Sequence, residues 1–261
     1  LFLRFGKRLT PTEQAVLLHE VVLRSFIGLD EIGRAASAIR TRSAANFRIA
    51  SIPAYAESII PRVIQRLARQ RPAIHFSIHS HEESSLMHEM TTQVFDLCLA
   101  ESQFERDSEA GETVFAGDMV CVLPRDHLLA AREMLRPGDF AGQPFIYFGQ
   151  NDPYRHKLDG VFNQADVTRD YAAETTTASS VCALVAAGVG ISVINPLTAA
   201  SHAGGAVVVR RLSVSVPYEL ALWYPARSTR RPQVQGFISA LNEVIREMAV
   251  ELDRRLGPAP G

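Results

Sequence analysis

Cysteine is scarce. Only Cys98, Cys121 and Cys182 occur, each inside an apolar run, with an odd count and no CxxC spacing. A disulfide framework, a thiolate metal site and a cysteine nucleophile are therefore set aside in favour of reduced core thiols. Net charge is also lacking. Lys and Arg number 27 against 28 Asp and Glu, so the formal charge is −1. No global field recruits nucleic acid or a membrane, and any DNA contact must come from a local patch. No apolar run approaches the ~20 residues of a membrane span, so no membrane partner is expected. The first stretch, "LFLRFGKRLTPT", has no apolar core of the kind a signal peptide carries. It begins with Leu, so the chain is expected to be a fragment with its front removed, from a cytoplasmic protein. There is no GxSxG elbow, no long linker, no internal repeat and no low-complexity tract. The single Trp, Trp223, stands in an apolar strand where core packing is its default role.

What is present is periodicity. Over residues 12–40, Ala15, Leu18, Val22, Ser25, Leu29, Ile32, Ala36 and Ile39 alternate spacings of three and four. That is an a/d seam, with Pro11-Thr12 as its start signal. The seam predicts a helix that pairs with another helix, and self-association as a dimer or tetramer is the favoured use. From "FRIASI" (47–52) the pattern alternates strand and helix. Strands are expected at 73–80, 95–100 and 119–124, a helix opened by Pro61 and a polar helix near 84–93. A second unit follows, with strands at 144–149 and 169–174 and an inward face of Tyr154, Leu158, Val161 and Phe162 on a helix over 153–165. Two more strands, "GGAVVVRRL" and "YELALWYP", precede a last helix over 232–255. That helix places Val234, Phe237, Leu241, Val244, Ile245, Met248 and Leu252 on one face. Alternation with short links means parallel α/β units. Two such units without a disordered linker imply two lobes with a cleft between them.

The stretch "ETTTASSVCALVAAGVGISVINPLT" (174–198) places five hydroxyls before an apolar helix. Ligands in open α/β sheets collect at strand C-termini, where the next helix presents unpaired N–H groups. Thr175, Thr176, Thr177 and Ser179 can cap that helix or contact a polar or anionic ligand. Gly188 can take the left-handed conformation that closes the helix, and Gly190 allows close approach to the following strand. The Gly-Val-Gly follows a helix instead of a strand, so it is no dinucleotide fingerprint, and no cofactor is expected. His75, His79 and His81 share one strand face, on an edge strand turned to solvent or to a partner. Nothing nearby completes the four ligands of a structural metal site. The basic helix end "QRLARQR" (65–71) suits the helix dipole better than nucleic acid.

Taken in order, "LFLRFGKRLTPT", the long helix ending "AASAIR", "FRIASIPAYAESIIPRVIQRLARQRPAIHFSIH", "FDLCLAE", "VCVLPRDHLLA", "ETTTASSVCALVAAGVGISVINPLT" and "VPYELALWYPA" resemble a LysR-type transcriptional regulator over essentially the whole chain. The resemblance implies an α/β fold of two Rossmann-like subdomains, similar to periplasmic binding proteins, after a linker helix and a winged helix-turn-helix. Only a wing remnant, 1–11, is present here, with Arg4, Lys7 and Arg8 as its implied phosphate contacts. The linker or dimerisation helix would be 12–42. The first effector-binding subdomain would be 46–123 plus 224–252 and the second 124–223, with hinges near 122–125 and 221–225. Carried over by position, the effector site would comprise Ser51, Pro53, Ala54 and Tyr55; Glu83, Ser84 and Ser85; Glu101; Gln150 and Asn151; Thr175 and Thr176; Asn195 and Pro196. Many relatives carry a hydroxyl where Ala54 stands. "RSFIGLDEIGRAASAIR" is also similar to the subgroup controlling opine and basic amino-acid catabolism. Glu83 and Glu101 would suit a guanidinium or amine and the Thr/Ser rim a carboxylate, so an amino acid or opine fits both. Two other classes remain open. One is a periplasmic-type solute-binding protein of the same bilobal fold. The other is an enzyme, which would need a nucleophile or base in the cleft, and none can be named.

Overall fold

The computed structural model describes residues 1–5, 8–15, 18–19, 22, 46–70, 74–82, 85–86, 95–101, 112–223 and 232–256. The chain divides into two units, Leu1–Ala45 and Asn46–Gly261. In the first, β1 (Phe2–Phe5) and β2 (Arg8–Pro11) form an antiparallel hairpin. Thr12 closes it and opens the next element. Its N–H reaches the Leu1 carbonyl at 2.9 Å, and its hydroxyl accepts from Ala15 N–H at 3.2 Å. That is the hydroxyl cap the start signal required. Residues 13–15, 18–19 and 22 are helical. The remainder of the expected seam lies outside the described residues, as does most of the polar helix near 84–93.

The second unit begins with β3 (Asn46–Ser51), then α1 (Pro53–Ser58) and α2 (Ile60–Gln70). Next come β4 (His75–Ser80), β5 (Leu97–Glu101), β6 (Glu112–Asp118) and β7 (Val120–Pro124). Then follow β8 (Met134–Leu135), β9 (Pro144–Phe148), α3 (Pro153–Gln164), β10 (Asp170–Thr175) and α4 (Ala178–Ala186). The chain continues through β11 (Ser192–Ile194), α5 (Pro196–His202), β12 (Val207–Leu212), β13 (Pro217–Trp223) and α6 (Pro232–Leu256).

Two sheets carry the fold. The first runs β4-β3-β5-β13-β6, with β3 parallel to both its neighbours and β13 antiparallel to both of its own. Every residue of β5 is buried, as expected of a strand covered on both faces. The second runs β11-β7-β12-β8. A parallel bridge between Phe145 and Ile191 joins it to the parallel pair β10-β9. The two-lobed α/β architecture is thus as expected, but two strands sit in the other sheet from the one assigned by position. Val120–Pro124 pairs with β11 and β12 in the second sheet, and Pro217–Trp223 pairs with β5 and β6 in the first. The chain therefore crosses between lobes at 118–120 and 212–217, earlier than the expected hinges. Strand hydrophobicity reports burial, not which neighbour a strand takes. The two crossovers touch. Met119 N–H donates to the Val216 carbonyl at 3.0 Å, and Ser215 Oγ donates to Asp118 Oδ1 at 2.6 Å.

α6 lies over both lobes with Val234, Phe237, Leu241, Val244, Ile245, Met248 and Leu252 all buried, the face its period predicts. Phe237 stacks on Phe47 of β3 at 5.4 Å. Arg66 of α2, part of the basic helix end, pairs with Glu243 and Glu247 of α6 at 3.1 and 2.6 Å. β4 is an edge strand, but its histidine face is not turned wholly to solvent. The His79 ring packs edge-on against Phe95 at 5.3 Å and parallel to His81 at 6.5 Å. Among the described residues no group of three His, Cys, Asp or Glu could hold a metal ion. Also among them, no helix is long and apolar enough to cross a membrane.

Candidate functional site

A cavity of about 690 Å³ opens between the lobes, within the range of small-ligand sites. Its walls follow one rule. Ile52, Pro53 and Ala54 follow the end of β3, and Glu82 follows β4. Glu101 ends β5, the run Phe148–Tyr154 leaves β9, Thr176–Ala178 leave β10, and Asn195 leaves β11. All of these lie at strand C-terminal ends, and after β3, β9, β10 and β11 a helix begins there. The remaining lining residue, Met119, belongs to a crossover.

The capping chemistry explains the local geometry. Asp152 precedes α3 and its Oδ1 accepts from Tyr154 N–H at 2.8 Å and Arg155 N–H at 3.2 Å; Pro153 fills the first helical position. Asn195 caps α5 through Thr198 N–H at 2.8 Å. Thr177 caps α4, accepting from Ser180 N–H at 3.1 Å. The first-turn N–H groups of Ala178 and Ser179 have no carbonyl four residues back. Gly188 closes α4 with φ +78°; its N–H reaches Val185 O at 2.9 Å, and Val189 N–H reaches Leu184 O at 3.1 Å. Gly190 then lies against Pro144, where an added Cβ would fall 2.5 Å from the carbonyl oxygen. These two glycines hold the helix of the hydroxyl stretch tight against β9.

Among the described residues, three carboxylates line the cavity: Glu82, Glu101 and Asp152. Glu101 is 7% exposed. Burial pushes the Asp152 carboxyl above its ordinary value, against the opposing pull of the two N–H bonds and of His156 and Arg155. No Lys, Arg or His is among the described lining residues. The Arg155 guanidinium, next in sequence to the lining residue Tyr154, is held by Asp159 at 3.0 Å, Glu174 at 3.2 Å and the Phe148 carbonyl at 2.6 Å. Behind the wall, Tyr55 of α1 and Tyr218 of β13 share a buried hydroxyl–hydroxyl bond of 2.5 Å, and the Tyr154 ring packs on Tyr218 at 5.6 Å. Burial is the main reason the Tyr55 phenol stays protonated well above its usual range. The neighbouring Tyr218 and Glu101 add to it.

Of the residues expected at the site, Pro53, Ala54, Glu101, Gln150, Asn151, Thr176 and Asn195 line the cavity together. Ser51 is fully buried with its hydroxyl on the Ile52 carbonyl at 2.7 Å. Tyr55 faces Tyr218, and Ser85, Thr175 and Pro196 are not among the lining residues. Glu83 and Ser84 lie outside the described residues. In the hairpin, Arg4 is exposed on β1, Lys7 lies outside the described residues, and Arg8 belongs to β2. Sequence reasoning missed Glu82, Asp152, Tyr154 and Met119 as wall residues. Asp152 was findable, since Asp before Pro and a helical face is a start signal.

The profile of the LysR substrate binding domain family matches residues 40–246. The chain is 37% identical over 259 residues to the transcriptional activator protein LysR of Escherichia coli (strain K12), covering 99% of this chain and 83% of that one. It is 28% identical over 216 residues to the octopine catabolism/uptake operon regulatory protein OccR of Rhizobium meliloti, covering 83% and 71%. Among solved structures, the CcmR regulatory domain of Synechocystis PCC6803, in complex with 2-PG, has the same fold. Its TM-score is 0.63 at 19% identity, covering 76% of this chain and 96% of that one.

Proposed function

Because the chain belongs to the LysR-type family of transcriptional regulators, we propose that the interlobe cavity is its effector site and that filling it resets the angle between the lobes. Regulators of this family bind DNA and small effectors and self-associate. A change of lobe angle in a dimer or tetramer alters how the DNA-binding domains are spaced. The guest does this only through different affinities for the two lobe arrangements. The observation that carries the reading is the cavity's construction: almost all of its lining residues sit at the C-terminal ends of strands from both lobes.

The guest is a small polar metabolite with a carboxylate, of the amino-acid or opine class. The Rhizobium relative, the regulatory protein of an octopine catabolism/uptake operon, supports that class. Arg4, Lys7 and Arg8 serve as phosphate contacts of the hairpin, fixing position without reading sequence. The protein acts in the cytoplasm as a regulator, not as an enzyme or a periplasmic carrier. Redox sensing finds no support. Cys98, Cys121 and Cys182 are buried, and burial pushes the Cys182 thiol up to about 12 and Cys121 higher still, so neither is a thiolate at neutral pH.

The test is a gel shift of the regulator, with its helix-turn-helix, on its own upstream DNA. A shift whose mobility or affinity changes with a cavity-binding metabolite is expected. No shift with or without candidate metabolites removes the regulatory reading. At the cavity, Thr176→Ala should abolish the thermal stabilisation a bound metabolite gives, which follows RT ln(1 + [L]/Kd). An unchanged response removes the rim assignment.

A further inference from the structure

Resting on the reading of the cavity as an effector site, we infer that Arg155, itself outside the lining, is the positioning residue of the second-lobe wall. Its guanidinium fastens the run 148–154 to the end of β10, and the affinity for a guest depends on that fastening. Among the described residues this run lines the cavity without a break and is its longest stretch of wall. It leaves the sheet at Phe148 and re-enters regular structure at Pro153. Arg155 holds it at both ends. The Arg155 N–H donates to Asp152 Oδ1 at 3.2 Å, and Nη1 reaches back to the Phe148 carbonyl at 2.6 Å. Between them the Asp152 N–H donates to the Gly149 carbonyl at 3.0 Å and closes a turn. The same Nη1 lies 3.2 Å from Glu174 Oε2, near the end of β10. Phe148 and Thr175 are level in the parallel pair. The two strand ends that feed this wall, one into 148–154 and the other into Thr176–Ala178, are thus tied to one group.

That group is fixed in turn. Arg155 Nε donates to Asp159 Oδ2 at 3.0 Å, one turn along α3, and the guanidinium lies 4.3 Å from the centre of the Tyr147 ring. Asp159 Oδ1 accepts from Arg169 Nη2 at 2.5 Å. The Arg169 guanidinium stands over Phe145 and Phe162, at 4.7 and 4.1 Å. Arg169 directly precedes β10 and Glu174 lies near its end, so the charges pin that strand to α3 at both ends. Arg155, Asp159 and Glu174 keep some exposure, so their pairing adds little to global stability. Its value is geometric. The planar fork of Arg serves these three acceptors at once, whereas the point charge of Lys does not. Tyr154, Leu158 and Phe162 keep α3 buried in the core without it. Loss of Arg155 therefore frees the wall run while α3 stays docked. A guest must then order the run as it binds, and that ordering costs affinity.

The test compares the 261-residue chain with Arg155→Lys, Arg155→Met and a control in the same lobe, Arg132→Met, which breaks the ion pair to Asp139. Hydrogen exchange read by mass spectrometry should rise about tenfold over 149–154 and 175–178 in both Arg155 variants, and stay at the parent's rate in β11 and β12. Calorimetric titration with L-arginine should give about tenfold weaker binding in both, with the melting temperature within about 3 °C of the parent's. Exchange over 149–154 no faster than in Arg132→Met overturns the inference, whether or not arginine binds. Faster exchange throughout the second lobe, with a collapsed melting temperature, makes Arg155 a general stabiliser and overturns it too. Recovery of the parent's exchange by Arg155→Lys also overturns it, since a lone charge then suffices. Parent-like affinity in both Arg155 variants that Thr176→Ala still lowers overturns the inference and leaves the effector site standing. Affinity that ignores all three substitutions places arginine outside the cavity, and both readings fall. A parent chain that takes up no arginine counts against the proposed class of guest, and the exchange then decides the brace alone.

Discussion

The hydroxyls of Tyr55 and Tyr218 meet at 2.5 Å behind the cavity wall, one side chain from α1 and the other from the strand that follows the second crossover. Both are at most 1% exposed. Tyr55→Phe or Tyr218→Phe removes this bond and leaves the partner hydroxyl where water is excluded, so each should cost about 1–3 kcal/mol. The double substitution should cost less than the two losses added. Urea unfolding of the four proteins checks this, and strict additivity would count against the pair acting together.

Asp152 gives a pH dependence with a definite sign. Its carboxyl is raised above the ordinary value, with burial the largest cause, so the folded state holds the proton more tightly than the unfolded chain. Its contribution to stability is greatest below about pH 4, the unfolded carboxylate value, and is lost as pH rises through the raised folded value. Asn caps helices as well as Asp. Asp152→Asn should therefore be more stable relative to the parent at pH 7 than at pH 4. Denaturant titrations at the two pH values decide it, and the opposite trend refutes it.

Gly190 and Gly188 should differ on substitution. A Cβ at Gly190 meets the Pro144 backbone, which cannot swing aside, so Gly190→Ala should cost about 1–3 kcal/mol or more. At Gly188 only the positive φ resists a side chain, since nothing lies within 4 Å, and Gly188→Ala should cost about 1 kcal/mol. Thermal unfolding ranks them, and the reverse order would show that the packing of α4 on β9 is misjudged.

The neighbouring threonines should separate stability from binding. Thr177→Ala loses a cap bond and should cost about 1 kcal/mol. Thr176→Ala, with no cap to lose, should stay within about 0.5 kcal/mol while altering the response to a bound metabolite. Melting curves with and without arginine measure both effects.

Periodicity made the last helix legible residue by residue, because α6 buries one face along its length. The ends of α4 were equally readable, since Gly188 and Gly190 answer backbone demands that few other residues meet. Sheet membership was not readable. The strand "VCVLP" is apolar enough for either lobe, and only pairing decides. β6, "ETVFAGD", escaped notice because its exposed edge position relaxes the alternation of its side chains. Most of the loops that line the cavity followed from the resemblance, but which residues within each loop form its wall did not. Ser51 and Tyr55 flank the lining residues Pro53 and Ala54, and one step of register turns a side chain from the opening to the interior.

The rung from Met119 to Val216 stitches the two interlobe passages side by side. Halves tied along one line can swing like a book about its spine, whereas sliding would tear that seam. On the proposed reading of the cavity as an effector site, its guest would act along that opening angle, and a molecule too small to span the pages would leave it unread.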